Sequence, residues 1–211
     1  MIEFRQCGSS SCQLRFPAAA AEMVGDACPS CGSQTHISNS KPDPDWVQEK
    51  PRFRMKRKMV GILDNIRSAY NAGSLIRTAD GAGLKHLYFC GITPPPDHPK
   101  VAKTALGSES AVEISRYRNG LHLTDKLKEA GYYLIALEKE VGAISLFDQK
   151  LTVPDQPLAL IIGNENSGID PGILANCHII VDLPMMGVKQ SLNVVVAFGI
   201  AVYHLNYCET F

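Results

Sequence analysis

Four cysteines near the start of the chain have the spacing of metal ligands. Cys7 and Cys12 form one pair, and Cys28 and Cys31 form a second pair fifteen residues later. Paired thiolates of this kind close a tetrahedral site around zinc in zinc ribbons, and four thiolates leave no open position for catalysis. The sequence therefore predicts a structural zinc or iron site in a zinc-ribbon-like module over residues 1–38.

The second pair carries the stronger part of this pattern. Pro29 preshapes the turn between its cysteines, and Gly32 allows the backbone to fold back toward the sulfurs. Four unrelated reduced cysteines are the alternative, but a segment with so few apolar residues has little to fold around without a metal. His36 is a spare candidate ligand or a surface residue. The remaining cysteines lie in apolar surroundings, where cysteine behaves as a small hydrophobe: Cys90, Cys177 and Cys208.

Three further segments place polar residues where an apolar run gives way to a helical pattern: Asn71 to Ala79, Ile161 to Pro171 and Leu183 to Tyr203. In the second, Asp170 is the expected N-cap and Pro171 the first helical residue. In the third, Ser191 is the expected N-cap of a helix with apolar residues at helical spacing: Leu192, Val195, Val196, Gly199, Val202 and Tyr203. Such loops can present backbone groups to a ligand, although plain strand-to-helix turns have the same pattern.

These loops need a scaffold, and the apolar pattern from Lys58 onward supplies one. Short apolar runs alternate with helical stretches over 59–63, 72–81, 84–90, 121–130, 132–137, 158–163, 179–183 and the last helix. This alternation predicts a mostly parallel α/β sheet with helices on both faces, in which ligands bind beyond the carboxyl ends of the strands. The chain has neither the G-x-G-x-x-G nor the G-x-x-x-x-G-K-[ST] pattern, so an ordinary dinucleotide or P-loop site has little support.

The 211 residues suffice for one domain and a small appendage. We expect a linker and basic strip over 39–57 and the main domain over 58–211. The chain has 21 Lys and Arg residues and 21 Asp and Glu residues, so its net charge is zero. This balance is weak evidence against nucleic-acid binding, and a nucleic acid would have to bind to a local basic patch. Four cations that share one side of an extended strand are candidates for phosphate contacts or for a solvated flank: Arg52, Arg54, Lys56 and Lys58.

No apolar run approaches the roughly 18 residues that a transmembrane helix needs. The first residues, MIEFRQCGSS, lack the basic and apolar regions of a signal peptide. We therefore expect a cytoplasmic protein with no membrane partner.

The three polar segments together resemble a known family. N-x-G-x-x-x-R-T-A from Asn71, G-x-E-x-x-G from Gly163 and L-P-M-x-G-x-x-x-S-L-N from Leu183 stand in the order found in the SPOUT superfamily, specifically the TrmH-like (SpoU) RNA ribose 2'-O-methyltransferases. The resemblance covers roughly residues 59–204, and Lys103 to Gly107 also fits it. The cysteine-rich extension is outside the shared body.

The resemblance implies a parallel sheet whose C-terminal part is threaded into a trefoil knot. General connection rules would instead have predicted an unknotted sheet. It also implies an S-adenosylmethionine pocket, with Gly163, Leu183 and Leu192 lining it and Ile162 and Met185 as neighbours. Family members are homodimers that pack knot against knot, which implies the same contact here, with the last helix taking part. RNA is the implied partner, and DNA is not expected.

The catalytic residues implied by the resemblance are Asn71, Arg77, Glu165, Ser191 and Asn193. A guanidinium loses its proton only above about pH 12, so Arg77 is better suited to bind a phosphate and polarise the ribose hydroxyl than to act as a general base. Each residue also has a plain structural interpretation as a helix cap, a loop carboxylate or a surface charge.

The expected activity is methyl transfer to a ribose 2'-hydroxyl of tRNA or rRNA. A catalytically silent knotted RNA-binding protein and methylation of a base are the alternatives.

Overall fold

The computed structural model of the chain describes residues 2–19, 25–41 and 55–207. The chain divides into two compact units, residues 1–52 and 53–211. Two cations of the predicted basic strip, Arg52 and Arg54, lie outside the described residues, as does Cys208. Among the described residues no helix has the length and apolar character needed to cross a membrane.

The first unit contains a three-stranded antiparallel sheet in the order β2-β1-β3. Its strands are β1 (Ile2–Cys7), β2 (Arg15–Ala19) and β3 (Thr35–Lys41). Its buried residues include Arg5, whose guanidinium donates to Thr35 at 3.0 Å and to the carboxylates of Glu3 and Asp26. In a larger domain an apolar side chain would fill the space that this buried arginine occupies. The first unit therefore has little hydrophobic burial to stabilise it.

The second unit is built on a seven-stranded sheet in the order β6-β5-β4-β9-β7-β10-β8, and every strand pair in it is parallel. The strands are β4 (Met59–Asp64), β5 (His86–Cys90), β6 (Glu113–Tyr117), β7 (Tyr133–Leu137), β8 (Ile144–Ser145), β9 (Leu158–Ile162) and β10 (Ile179–Asp182). All residues of β4 and β9 are buried, as expected for the centre of a parallel sheet covered on both faces. The predicted parallel α/β architecture is confirmed.

Within residues 55–207, five α-helices cover this sheet: α1 (Ala69–Ala82), α2 (Pro99–Ala105), α3 (Gly120–Glu129), α4 (Pro171–Asn176) and α5 (Val194–Tyr207). Side chains of α1, α2 and α5 pack on one face with Met59 and Leu63, while those of α3 and α4 pack on the other with Val60 and Ile62. This alternation along β4 follows from the two-residue period of a strand. Asp170 caps α4 and Pro171 begins it, as predicted.

Two helix starts differ from the sequence prediction. The first helix was expected from Ala72, but Ser68 caps α1 through its side chain, so Asn71 is already helical. The last helix was expected to be capped by Ser191. Instead Asn193 Oδ1 accepts the amide of Val195 at 2.8 Å, and α5 begins at Val194. The prediction of Ser191 as the N-cap was wrong, because Asn is as good an N-cap as Ser and Asn193 takes that position.

The buried face of α5 also differs. Phe198, Ala201, Val202 and Leu205 face the core. Of the predicted stripe, Val202 is buried and Val195 packs against the core, whereas Leu192, Val196 and Tyr203 are exposed at 41%, 50% and 45%. The helix is apolar nearly all round, so periodicity could not select one face. Gly199 lies where α5 crosses α1, and a Cβ there would sit 3.3 Å from Thr78, so the glycine allows the two helices to pack closely.

The prediction missed α2, β6 and β8. The helix α2 has seven residues, β8 has two, and β6 is an edge strand with none of its residues fully buried. Each is too short or too polar to give a clear apolar period.

Candidate functional site

A cavity of about 560 Å³ opens where four neighbouring strands of the large sheet end. Its walls come from the residues that follow the carboxyl ends of β4, β7, β9 and β10. Pockets of this size hold small organic ligands in other proteins, and the carboxyl edge of a parallel sheet is their usual place. Of the ten predicted catalytic and cofactor residues, nine line this cavity: Asn71, Ile162, Gly163, Glu165, Leu183, Met185, Ser191, Leu192 and Asn193.

A chain of side-chain hydrogen bonds joins the three polar segments inside this cavity. Asn193 Nδ2 donates to Asn71 Oδ1 at 3.3 Å, and Asn71 Nδ2 donates to Glu165 Oε1 at 2.8 Å. The three residues are separated by 94 and 122 positions along the chain. The fold therefore assembles one polar wall from the first turn of α1, the loop after β9 and the segment before α5.

Glu165 holds the start of α1. Besides Asn71, its carboxylate accepts the backbone amides of Arg67 at 2.8 Å and Ser68 at 3.0 Å. Partial burial alone would raise the pKa of this carboxyl, but the hydrogen bonds from Arg67, Asn71, its own amide and Ser68 outweigh burial and leave the pKa lowered. Glu165 is therefore ionised at neutral pH, and its charge lies at the positive end of α1.

Gly163 and Gly168 bring the loop after β9 back on itself. Asn164 and Gly168 exchange backbone hydrogen bonds at 3.0 and 2.9 Å, and the Asn164 side chain donates to the carbonyl of Asn65 at 2.7 Å. A Cβ on Gly163 would come within 2.3 Å of the backbone of Gly168 and Ile169. The glycine is thus required by the loop itself.

Two charged residues at the end of β7 were missed by the sequence prediction. Glu138 Oε2 accepts the amide of Ile169 at 3.1 Å, and Lys139 Nζ bonds Gln190 Oε1, which links two sides of the cavity. Both follow directly after the apolar run that ends at Leu137. The rule that ligands bind beyond strand ends could have selected them.

The segment before α5 forms the outer wall. Leu183 and Met185 are half-buried, Leu192 is 41% exposed, and Met186 and Val188 are almost fully exposed at 94% and 95%. Apolar side chains left uncovered beside a cavity are typical of a surface that a ligand or partner covers.

Arg77 is the predicted catalytic residue that does not line the cavity. It lies on the exposed side of α1, in a shallow depression with seven other residues: Ser74, Thr78, Gly81, Lys103, Thr104, Leu106 and Tyr203. Arg77 follows Asn71 by six positions, which corresponds to about 9 Å along the helix axis. The two residues therefore line different depressions of the surface.

Asp64 is a buried carboxylate beside the site, at the end of β4. Burial raises its pKa, and the nearby charge of Asp170 adds to this, while hydrogen bonds from the Asp170 amide and from Asn65 oppose it. Its oxygens accept from Asn65 Nδ2 at 2.8 Å and from the Asp170 amide at 3.1 Å. Asp64 thus ties the loop after β4 to the start of α4.

In the first unit, the four predicted ligand cysteines come together. All four sulfurs lie within 4.8 Å of one another, with Cys7 to Cys31 at 3.5 Å and Cys12 to Cys28 at 3.9 Å. Sulfurs bound about 2.3 Å from one tetrahedral zinc would lie about 3.8 Å apart. The donor set therefore fits a tetrahedral thiolate-bound metal.

Two of the four thiols, those of Cys7 and Cys31, have shifted pKa values. Hydrogen bonds from Ser33 lower the pKa of Cys31 to about 6, with a further contribution from Cys7. The amide of Ser9 would lower the pKa of Cys7, but burial and the three neighbouring thiols raise it to about 12. Close packing of thiols makes full ionisation unfavourable until a cation neutralises them.

Comparison with known proteins identifies the class. Residues 58–203 match the model of the SpoU rRNA Methylase family. The chain belongs to this family.

Two relatives illustrate its range. Over 148 residues the chain is 32% identical to the 23S rRNA (guanosine(2553)-2'-O)-methyltransferase RlmP of Bacillus subtilis, with 70% of this chain and 58% of the relative covered. Over 144 residues it is 30% identical to the tRNA (guanosine(18)-2'-O)-methyltransferase of Borreliella burgdorferi, with 68% and 64% covered. The chain thus spans less than two thirds of the length of these relatives.

Solved structures share the fold. The TrmH/SpoU tRNA modifying enzyme of A. aeolicus matches with a TM-score of 0.63 at 27% identity, covering 72% of this chain and 76% of that one. The AdoMet-bound rRNA methyltransferase of Sinorhizobium meliloti matches with a TM-score of 0.65 at 25% identity, covering 72% and 57%.

Proposed function

We propose that this protein is an S-adenosylmethionine-dependent methyltransferase that methylates a ribose 2'-hydroxyl in tRNA or rRNA. The observation that carries the proposal is the hydrogen-bonded series Asn193, Asn71 and Glu165, which lines one cavity at the carboxyl edge of the sheet. The ribose 2'-O-methyltransferase relatives named above support the same chemistry.

The cavity suits the cofactor. Ile162, Leu183, Met185 and Leu192 offer apolar contacts for a purine ring, and the loops after β9 and β10 offer main-chain groups. The cofactor supplies an electrophilic methyl on a sulfonium, which the ribose oxygen takes while the carbon–sulfur bond breaks and S-adenosylhomocysteine leaves. The hydroxyl proton goes to water or to a substrate phosphate, because an arginine at neutral pH does not accept it.

The protein's own residues contribute positioning. Glu165 fixes the side-chain amide of Asn71, and Asn71 in turn fixes that of Asn193, so two amides are held where a ribose can meet them. Such prior orientation accounts for much of the rate gain in a displacement of this kind. Ser191 supplies a hydroxyl on the same wall. Arg77, about 9 Å along α1 from Asn71, binds a phosphate of the same RNA strand.

Methyl transfer is tested with the purified full chain, radiolabelled S-adenosylmethionine and total RNA. We expect label in the RNA, and nuclease digestion should release it as a 2'-O-methylated nucleoside. Label in a base would show that the protein methylates a base and not a ribose. RNA binding without any transfer would instead indicate a silent RNA-binding protein and overturn the enzyme proposal.

We also propose that the chain forms a homodimer through α5. Val196, Tyr203 and Tyr207 stand on one exposed side of this helix at 43% to 50% exposure, and Leu192 continues the stripe. An apolar face of this length is costly to leave in water, and a second copy buries it. Light scattering should give twice the chain mass, and Val196→Lys should shift it to the monomer. A wild-type monomer would contradict the proposal.

A trefoil knot in the C-terminal part of the sheet is proposed from family membership and from the strand order, in which β9 enters between β4 and β7. Pulling a single chain from both ends after unfolding measures its contour length. A tightened knot shortens that length, whereas the full length of a linear chain would contradict the knot.

A bound zinc ion is proposed for the four cysteines, since their sulfurs already have near-tetrahedral spacing. A zinc-ribbon-like module of this kind would hold its strands together largely through the metal.

A further inference from the structure

A group of aromatic rings lies on the face of the large sheet that α3 and α4 only partly cover. The aromatic patch comprises His86 and Tyr88 on β5, Tyr117 on β6 and Tyr132 just before β7. The rings of His86 and Tyr88 are stacked with centroids 4.2 Å apart, and Tyr117 meets Tyr88 edge-on at 5.7 Å. All four side chains are half-buried, so their outer faces and edges reach solvent.

Two lysines border the patch. Lys58 Nζ lies 5.4 Å from the ring centre of Tyr132, and Lys126 Nζ lies 5.9 Å from that of Tyr117. One carboxylate, that of Glu113, faces His86 at 4.0 Å. Ammonium groups held against ring faces are typical of a surface that offers both stacking and positive charge.

Packing against the core does not explain why these residues are tyrosine and not phenylalanine. Burial raises the pKa of Tyr88, and Tyr132, Tyr117 and Glu113 raise it further, which means that these polar groups lie near one another. The Tyr88 hydroxyl therefore remains protonated and can donate a hydrogen bond. Phenylalanine would fill the same space at a lower desolvation cost if packing were the only role.

The aromatic patch is separate from the cavity. Lys58 and Tyr132 precede β4 and β7, whereas the cavity lies beyond the carboxyl ends of these strands, about 17 Å away for a five-residue strand. Tyr117 ends β6, the strand at the edge of the sheet, and it does not line the cavity. The two surfaces can therefore contact different nucleotides of one RNA. Lys58 is also the last cation of the basic strip, which connects the patch along the chain to Lys56.

We propose that the aromatic patch binds an unpaired stretch of the RNA substrate, with bases stacked on Tyr117 and Tyr132 and phosphates beside Lys58 and Lys126. This rests on the proposed RNA methyltransferase function. Flat rings flanked by cations favour a single strand of nucleic acid, because every base has a stacking face and every nucleotide a negative charge.

Photocrosslinking of the full chain tests the contact directly. The probe is a single-stranded oligouridylate that contains 4-thiouridine. After irradiation and digestion, we expect crosslinked peptides that contain Tyr88, Tyr117 or Tyr132. The absence of crosslinks to these peptides, with crosslinks elsewhere, would overturn the proposal.

Charge variants test the same contact in solution. The double variant Lys58→Gln/Lys126→Gln should bind the fluorescent oligouridylate about tenfold more weakly at physiological salt, and the slope of log K against log salt should fall by about 1.4 for two lost phosphates. The matched control Lys150→Gln removes an exposed lysine outside the patch and should bind as the wild type does. Equal affinity and slope in the double variant and the control would contradict the proposal.

Stacking is tested separately. Tyr117→Phe keeps the ring for stacking and should lose much less affinity than Tyr117→Leu, which should weaken binding about tenfold. Binding of S-adenosylmethionine should stay unchanged in every variant, which also reports that the fold is intact.

A wild type that binds and crosslinks RNA at the patch but transfers no methyl group refutes only the enzymatic function. Methyl transfer without any effect of these substitutions on RNA binding refutes only the patch.

Discussion

The Glu165 carboxylate accepts the side-chain amide of Asn71 at 2.8 Å, across 94 positions of sequence. The same carboxylate accepts two backbone amides at the start of α1. It therefore holds the residues that lead into α1 and orients a polar residue of the cavity, so stability and site geometry depend on one side chain.

The substitution Glu165→Gln should reveal this double role through its pH dependence. The folded pKa of Glu165 is lowered from 4.5, so its contribution is fully present above the unfolded pKa and is lost as the pH falls through the folded pKa. At pH 7 we expect the variant to lose about 1 kcal/mol in the free energy of unfolding, a value reduced for solvent exposure. Urea unfolding over a pH series measures it, with Glu129→Gln on the exposed side of α3 as the control. A difference from wild type that stays constant from pH 7 to pH 3 would contradict this role.

Gly163→Ala should destabilise the second unit. The added Cβ would meet the backbone of Gly168 and Ile169 at 2.3 Å, and backbone atoms cannot move aside cheaply. We expect a loss of about 1 to 3 kcal/mol from overpacking and weaker cofactor binding, because the loop lines the cavity. Gly187→Ala is the matched control, since its Cβ would meet nothing within 4 Å. Equal thermal unfolding of the two variants would be inconsistent with the tight turn.

Asn193 offers a way to separate folding from function. Its oxygen caps α5 and its nitrogen donates to Asn71. Asn193→Asp keeps the cap but loses the donor, so we expect normal unfolding and strongly reduced methyl transfer. Asn193→Ala loses both groups and should also cost about 1 kcal/mol. Full activity in Asn193→Asp would exclude the amide from the site.

The sequence predicted the parts of the fold that depend on local pattern. Parallel strands are continuous apolar runs, and Asp170 with Pro171 marks a helix start, so both were confirmed. The sequence could not show which side of α5 is exposed, because Val196 and Tyr203 on the exposed side are large apolar residues like those that face the core. The sequence also could not predict that Arg77 lies outside the cavity. A motif gives the spacing of residues along a helix, but it does not show which surface each side chain faces.

Arg77→Ala should abolish methyl transfer and leave S-adenosylmethionine binding unchanged. The guanidinium is exposed and lies outside the cavity, so the cofactor does not depend on it. Arg77→Lys keeps the charge but loses the planar fork, and we expect partial activity. Calorimetry with the cofactor and transfer of labelled methyl to total RNA give the two readouts. Retained activity in Arg77→Ala would eliminate the phosphate role, and lost cofactor binding would place Arg77 in the pocket.

Removal of one cysteine should release the metal from the first unit. Cys31→Ser leaves three thiolates, and we expect metal content by elemental analysis to fall well below one ion per chain, since hydroxyl is a poor ligand for a thiolate-type site. Cys177→Ala removes a thiol of the second unit and should keep the metal, because it lies outside the four-sulfur group. Chelation of the wild type should unfold strands β1 to β3 and spare cofactor binding by residues 53–211. Wild-type protein purified without metal, or equal metal in Cys31→Ser and Cys177→Ala, would rule out the four-cysteine site.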